Sequence, residues 1–373
     1  MKRINLALTA GLLSLAVNAT AGIGGPVPPL YLSQHANLIV VGTASNGIQA
    51  SAADVSFTIN VARVVEGPAA LAGSSIPVTW ALTVAAARAP TVTGTGLWFL
   101  QGSSGAWTLL PAMQGDVSFA DTFFAEPAGV NQAAYTYSAT ASLKDAVASE
   151  LALAIENAPP DSFRLDYLHK GALEQLNSPV VPVLYQRLAG MSAVDKKILG
   201  LAGQIRLGSA SALTTAAGAA PSFTGFALEQ GVLLESVRYW FRAADPTSVA
   251  AVGQTVDNTD GDLQFRRAAA FALAAIHTQQ SLPYLAALMS DPDPEMRTEF
   301  VRGVGSFANG LPAQTRDATP SLSYLQPQAN SPFRTDDTVA YSQLNIQILE
   351  QNESRYLAFW SAWWQANRGA LGF

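Results

Sequence analysis

Oxygen-bearing side chains are densest in Asp257-Asn-Thr-Asp260-Gly-Asp262, where acidic residues near a glycine could suit a hard cation such as Ca²⁺. An EF-hand loop needs oxygen ligands at its first and twelfth positions and glycine at its sixth. If Gly261 is sixth, those positions fall on Val256 and Arg267, so this pattern fails. The segment is therefore predicted to be a polar turn between helices that caps a helix beginning at Leu263.

Cysteine and histidine, the usual transition-metal ligands and common catalytic groups, are scarce, with 0 and 3 residues respectively. His35, His169 and His277 are far apart, and none has a ligand-like spacing to another histidine or to an acidic residue. Each is therefore predicted to be a structural histidine. The sequence indicates no metal site, no cofactor and no disulfide framework.

Motifs for nucleotide binding or hydrolysis are not supported. Gly303-Val-Gly-Ser-Phe-Ala-Asn-Gly310 superficially looks like a dinucleotide fingerprint, but it ends a predicted helix and does not join a strand to a helix. Neither a Walker loop nor a Gly-x-Ser-x-Gly motif is present. Scattered carboxylates could still pair in space, so a hydrolase with an Asp/Glu pair in a cleft between domains remains the alternative to a protein without catalytic activity.

The first 21 residues have the pattern of a cleaved secretory signal peptide. Met1-Lys-Arg3 is positively charged, residues 4–17 form an uncharged apolar stretch too short to span a bilayer, and Ala19-Thr-Ala21 supplies small residues before a cleavage site at Gly22. No other stretch of the chain is predicted to span a membrane. We therefore expect an exported protein, either periplasmic or extracellular.

The charge balance disfavours nucleic acid as a partner. Removal of Lys2 and Arg3 from 21 basic residues leaves 19 against 27 acidic ones, a net charge of −8. The basic residues are also scattered singly, apart from two adjacent pairs, so no stripe along a phosphate backbone is predicted.

With 373 residues, of which 49% are hydrophobic, the chain can bury more than one core. Residues 22–127 show a period of two, which predicts a small antiparallel β-barrel or sandwich of five or six strands. Two glycines in residues 101–106 predict a hairpin turn. Trp80, Trp98 and Trp107 lie within apolar strands, which favours core filling over a sugar-stacking platform.

This part of the chain resembles the oligonucleotide-binding-type (OB-type) barrels of netrin-like and TIMP-like modules. The resemblance is carried by Asn37-Leu-Ile-Val-Val-Gly42, a strand ending Val64-Val-Glu-Gly-Pro68, and Gly96-Leu-Trp-Phe-Leu100. The resemblance implies a barrel fold. Those modules usually carry cysteines, which this chain lacks. A secreted β-barrel outside that family is the alternative.

Residues 137–309 change to the period of helices, with breaks at proline and glycine. Asp260 is followed six residues later by Arg266, and Asp291 is followed six residues later by Arg297. The two copies of this pattern are offset by 31 residues. Five helix pairs are predicted: 143–157 with 163–176, 180–189 with 194–207, 209–217 with 226–243, 247–256 with 263–277, and 282–290 with 295–307.

The segment Leu282-Pro-Tyr-Leu-Ala-Ala-Leu-Met-Ser-Asp-Pro-Asp-Pro-Glu-Met-Arg297, followed by Phe300, Val301 and Val304, looks like a HEAT repeat, and the preceding unit looks like another. The resemblance implies an α-solenoid with polar ladders between units, formed by Asp260, Arg266, Asp291 and Arg297. Single helix pairs of this kind cannot bury their apolar faces alone, and stacked pairs form an extended surface suited to binding.

The chain ends in two further predicted regions. Residues 310–336 are polar and predicted to be a linker or surface loop, and residues 337–373 are predicted to form a helical hairpin split near Asn352. The last helix carries aromatic residues at steps of three and four that form one face: Tyr356, Phe359, Trp360, Trp363 and Trp364. We expect that face to dock as a helical cap, with an exposed partner or glycan site as the alternative.

Together these features predict an α+β multidomain protein that is exported, has no catalytic activity and binds a protein partner through its helical repeats. The partner and the oligomeric state are not encoded in any of these motifs.

Overall fold

The computed structural model describes residues 27–49, 54–81, 92, 94–103, 105–110, 124–125, 135–158, 171–240, 249–308 and 346–373. The predicted signal peptide at 1–21, the linker at 310–336 and His169 lie outside these residues. The chain divides into two compact units, Met1–Leu184 and Tyr185–Phe373.

The first unit contains six strands: β1 Leu38–Gln49, β2 Asp54–Glu66, β3 Ser75–Ala81, β4 Gly94–Ser103, β5 Ala106–Leu110 and β6 Phe124–Ala125. Because successive side chains of a strand point to opposite faces, β3 alternates strictly between exposed and buried residues. Its register on β2 places Val78 opposite Phe57 and Trp80 opposite Val55, so apolar side chains meet on the inner face.

Five of the strands close into a barrel in the order β1-β2-β3-β5-β4, and β4 pairs back onto β1. This is the five-stranded Greek-key arrangement of an OB-type barrel, and it confirms the predicted fold class. One feature differs from an all-antiparallel meander, since β3 and β5 pair in parallel. The parallel pair results from closure of the barrel. β4 pairs with the edge of β1 that is opposite β2, so β5, which pairs with β4, also lies beside β3.

The three strand tryptophans fill the barrel core. Trp80, Trp98 and Trp107 are all buried in one apolar cluster, and the Trp98 indole Nε1 donates to the Gly42 carbonyl oxygen at 2.8 Å. None of these rings is available as a stacking platform, in agreement with the core role expected from their apolar strands. The predicted hairpin is also present, with Ser103 opposite Ala106.

Two helices accompany the barrel: α1, Pro29–His35, and α2, Leu143–Asn157. Helix α2 packs on β2 and β4 and is held there by Glu150, whose buried carboxylate accepts hydrogen bonds from Arg63 Nε at 2.8 Å and from the Tyr137 hydroxyl at 2.6 Å. Burial and then the hydrogen bond to Glu150 raise the pKa of Tyr137 far above its usual range, so this hydroxyl stays protonated. Helix α2, the first helix of the segment predicted to be helical, therefore packs on the barrel.

The helices that follow are α3 Val180–Ala189, α4 Val194–Arg206, α5 Ala210–Ala219, α6 Ala227–Arg238, α7 Val249–Asp257, α8 Leu263–Ile276, α9 Leu282–Ala287, α10 Pro294–Ala308 and α11 Ile346–Asn367. Within the described residues these match the predicted helices closely. A predicted break near Asn352 is wrong, because α11 runs through that position without interruption. Asparagine costs a helix well under 1 kcal/mol relative to alanine, too little to end it.

The helices of the second unit stack on their neighbours in two rows. One row is α4, α6, α8, α10 and α11, each packed on the next, and the other is α5, α7 and α9. Across the rows, α7 contacts α8 and α9 contacts α10, so these contacts join helices that are neighbours along the chain, as in the packing of a solenoid. Arg266 and Arg297 both occupy the fourth position of their helices, as the repeat offset predicts.

Gly200 allows α4 to approach the end of α3 closely. A Cβ built at Gly200 would overlap the backbone nitrogen of Ala189, which cannot move as a side chain could. We expect Gly200→Ala to lower the free energy of unfolding by about 1–3 kcal/mol in urea denaturation. In the control Gly218→Ala, on an exposed position of α5 with open space around it, alanine should raise stability by up to about 1 kcal/mol. Equal effects of the two substitutions would contradict the close approach.

Candidate binding surface on the helical unit

Aspartates precede the second helix of each of the last two pairs, α8 and α10, but only some of them belong to the interhelical network. Asp262 caps α8 by accepting from Phe265 N at 2.9 Å, and Asp293 caps α10 by accepting from Glu295 N at 3.0 Å. Asp260, which we expected in the ladder, is exposed. The hydrogen bond from Phe265 N to Asp262 makes the turn before α8 the helix cap that its sequence predicted. Among the described residues no group of three or more His, Cys, Asp or Glu side chains is placed to hold a metal ion.

The centre of the ladder is an ion pair between successive repeats. Arg266 on α8 is only 6% exposed; its Nη2 lies 2.6 Å from Asp291 Oδ2, and its Nε donates to the Val256 carbonyl oxygen at 3.0 Å. Beside it, Arg267 pairs with Asp293 at 2.5 Å and with Glu295 at 2.9 Å. Apart from Glu295, which is 46% exposed, these charged side chains are at most 22% exposed, and they join one repeat to the next.

Arg297 extends the ladder to the last helix. Its Nη1 donates to the carbonyl oxygens of Asp291 at 2.7 Å and Pro292 at 2.9 Å, and its Nε donates to Glu353 on α11. The structure therefore brings three of the four predicted ladder residues together. The link between Asp291 and Arg297 uses a backbone oxygen, however, because the Asp291 carboxylate is occupied by Arg266.

The aromatic face of α11 is docked within the helical unit. Tyr356, Trp360 and Trp364 are buried, with Trp360 at 0% exposure, and α11 packs on α10. Phe359 and Trp363 are half-buried at the edges of this face. The helix is a cap for the repeats, and most of its aromatic surface is not free to bind a partner.

A cluster missed by our sequence analysis lies on three successive helices of one row. The guanidinium carbons of Arg238, at the end of α6, and Arg302, on α10, lie 5.4 Å and 5.7 Å from the ring centroid of Phe271 on α8. Tyr239 meets the same ring edge-on at 6.2 Å. We call Arg238, Tyr239, Phe271 and Arg302 the arginine–phenylalanine surface.

A repeat signal could have revealed part of this surface. Phe271 and Arg302 are both ninth in their helices, so they are separated by the same offset of 31 residues as Arg266 and Arg297. The ninth position carries a phenylalanine in one helix and an arginine in the other, whereas the fourth position carries arginine in both helices. A search for identical residues therefore finds the ladder and overlooks the surface.

Glu299 lies beneath this surface on α10. Its Oε1 accepts from Arg302 Nη1 at 2.8 Å, while its buried Oε2 has no hydrogen-bond partner in the described part of the chain. Burial raises the pKa of Glu299 by more than the nearby guanidinium groups of Arg302 and Arg238 lower it. The carboxyl therefore holds its proton to a higher pH than it would in water.

The raised pKa of Glu299 predicts that the free energy of unfolding depends on pH. As pH rises above about 4.5, the unfolded chain releases the Glu299 proton before the folded chain does, so the free energy of unfolding falls until the folded pKa is passed. We expect the stability of Glu299→Gln relative to the wild type to increase as pH rises from 4 to 7, in urea denaturation across that range. Glu235→Gln, at an exposed position of α6, should leave the profile unchanged. A constant difference between Glu299→Gln and the wild type would contradict the raised pKa.

The described histidines have structural surroundings. His277 ends α8 in a left-handed conformation and packs against Phe307 with ring centroids 5.7 Å apart, and burial lowers its pKa, so it is neutral at pH 7. The ring of His35 stacks on Tyr31, and its Nδ1 lies 2.8 Å from the Tyr31 carbonyl oxygen. Neither belongs to a metal-ligating group within the described ranges.

Comparison with known proteins agrees with the helical packing. Residues 250–334 match the family described as HEAT repeats, a range that includes α7 to α10. No curated protein and no solved structure matched the chain significantly. Of the helices that the structure describes, none combines the length and apolar character needed to cross a bilayer.

Proposed function

We propose that this chain, of which residues 250–334 match HEAT repeats and the N-terminal strands form a closed barrel, is an exported scaffold without catalytic activity that binds another protein through its helical repeats. One observation carries the proposal: a row of stacked helices presents arginine and aromatic side chains together at its surface, where the arginine–phenylalanine surface lies. Arginine and tyrosine are among the residues most enriched in the energetically important parts of protein interfaces.

The outer face of the barrel supports a protein partner over nucleic acid. Apart from the acidic Glu66 at the end of β2, its exposed positions on β2 and β3 are uncharged, among them Ser56, Asn60, Ser75 and Thr79. Single-stranded nucleic acid is bound by cationic grooves and by aromatic stacking platforms, and the described strands expose neither on this face. The net charge of the chain, −6 with the leader included, adds long-range repulsion of phosphate backbones.

Capture of a partner tests the scaffold function. The chain beginning at Gly22 would be immobilised and exposed to envelope and culture-supernatant fractions of the source cells. We expect retention of a protein that soluble scaffold displaces, and no retention on a heat-denatured sample of the same chain. If every retained protein also binds the denatured sample, the proposal fails.

Export has a separate test. We propose that the leader is removed and that the protein resides in the periplasm or outside the cell, because residues 1–21 combine a basic start, an apolar stretch and a small-residue cleavage site. Intact mass measurement of the protein recovered from those fractions should show Gly22 as the first residue. Recovery of a chain that retains Met1 from the cytoplasm alone would contradict export.

A further inference from the structure

The arginine–phenylalanine surface has the chemistry of a recognition site. Two guanidinium groups lie within 6 Å of the centroid of the Phe271 ring, and cation–π contact of this kind holds the planar group against the aromatic face. A guanidinium held in this way still presents N–H groups at its edge, where they can donate to a carboxylate in parallel pairs. Phe271 itself is half-buried.

The local charge is not balanced at Arg238. This residue is exposed, and no carboxylate among the described residues lies within ion-pair distance of it. The buried Glu299 carboxyl lies close enough to Arg238 to interact with it electrostatically, but it accepts its hydrogen bond from Arg302. Arg238 and Arg302 therefore lie at one aromatic ring, and a negative charge on a partner would complement the exposed Arg238.

We propose that this surface binds an acidic segment of a protein partner, with a carboxylate held by Arg238 beside Arg302 and an apolar side chain resting on Phe271. The assignment rests on the proposed scaffold function and adds the chemistry of the partner. A short acidic segment can use this local pair of positive charges, whereas a long polyanion would also meet the net negative charge of the whole chain.

A labelled peptide tests this chemistry directly. The probe is a short fluorescein-labelled peptide rich in glutamate with one phenylalanine, titrated with the full mature chain and followed by fluorescence anisotropy at low salt. A matched peptide with glutamine in place of glutamate should bind at least about tenfold more weakly. Binding of the acidic peptide should also weaken as salt is added, because the contact is between charges.

Variants then locate the site. Arg238→Ala should weaken binding of the acidic peptide about tenfold, which is the loss typical of a central interface arginine, and Arg238→Lys should restore only part of it. Arg238 is exposed, so its substitution should leave the unfolding midpoint nearly unchanged. Arg368→Ala, at an exposed position after α11, serves as the matched control and should bind as the wild type does.

Three results would overturn the proposal: unchanged peptide binding in Arg238→Ala, equal binding of the glutamine peptide, or equally strong competition by a short single-stranded DNA. The peptide test and the capture test can fail separately. A captured partner whose retention does not depend on Arg238 would leave the scaffold function standing and reject the acidic-segment assignment. Loss of that partner in Arg238→Ala would support both.

Discussion

Asp291→Ala is expected to lower the free energy of unfolding of the helical unit by about 3–5 kcal/mol, because it leaves the buried Arg266 guanidinium without its counter-ion. Both side chains of the pair are less than a tenth exposed, so water cannot replace the lost carboxylate. The same substitution removes the acceptor for the backbone N–H of Asp293. Urea denaturation followed by helical circular dichroism would measure the loss.

Asp260→Ala is the matched control for this experiment. Asp260 is the residue that the repeat pattern equates with Asp291, but it is exposed and outside the ladder, so its loss should change stability by no more than about 0.5 kcal/mol. In the double variant Arg266→Met with Asp291→Leu, most of the stability should return, because apolar replacement of both partners removes the stranded charge. Equal losses for Asp260→Ala and Asp291→Ala would contradict the observed ladder.

Trp360→Ala should have an effect of similar size at the end of the repeats. Trp360 is fully buried where α11 packs on α10, and removal of a buried tryptophan side chain typically costs about 3–5 kcal/mol. Terminal units of a solenoid need a cover for their apolar face, so the loss should also detach α11. Limited proteolysis should then cut within 346–367 faster in the variant than in the wild type.

Trp363→Ala provides the comparison within the same helix. Trp363 is half-buried, so its removal should cost clearly less than that of Trp360 and leave the proteolysis rate near that of the wild type. If both substitutions had the same small effect, α11 would not be a docked cap. Strong quenching of the full-length chain's tryptophan fluorescence by acrylamide would argue against docking in the same way.

The prediction for Asp291→Ala bears on function because it separates the charged residues that stabilise the helical unit from those exposed at its surface. The Arg266–Asp291 pair is buried between α8 and α10, and its role is to join repeats. Arg238 is exposed, and its substitution should affect binding and leave stability nearly unchanged. A partner-binding defect without loss of stability is therefore expected at the arginine–phenylalanine surface.

Local patterns in the sequence determined most of the elements. The alternation of Ser75–Ala81 predicts a strand with one buried face, and the three-and-four spacing of apolar residues predicts helices whose observed bounds agree within a few residues. The repeat offset also placed Arg266 and Arg297 at equivalent positions. Such patterns can be found in the sequence because the geometry of a strand or helix depends on residues that are close along the chain.

Only the tertiary structure decided which distant groups meet. The parallel pairing of β3 with β5, the packing of α2 on the barrel through Glu150 and the exclusion of Asp260 from the ladder all depend on contacts between residues far apart in sequence. The same holds for Phe271, which lies between two arginines from other helices. Periodicity specifies which face of an element is apolar, but the partner of that face is chosen by packing across the whole unit, which no local pattern records.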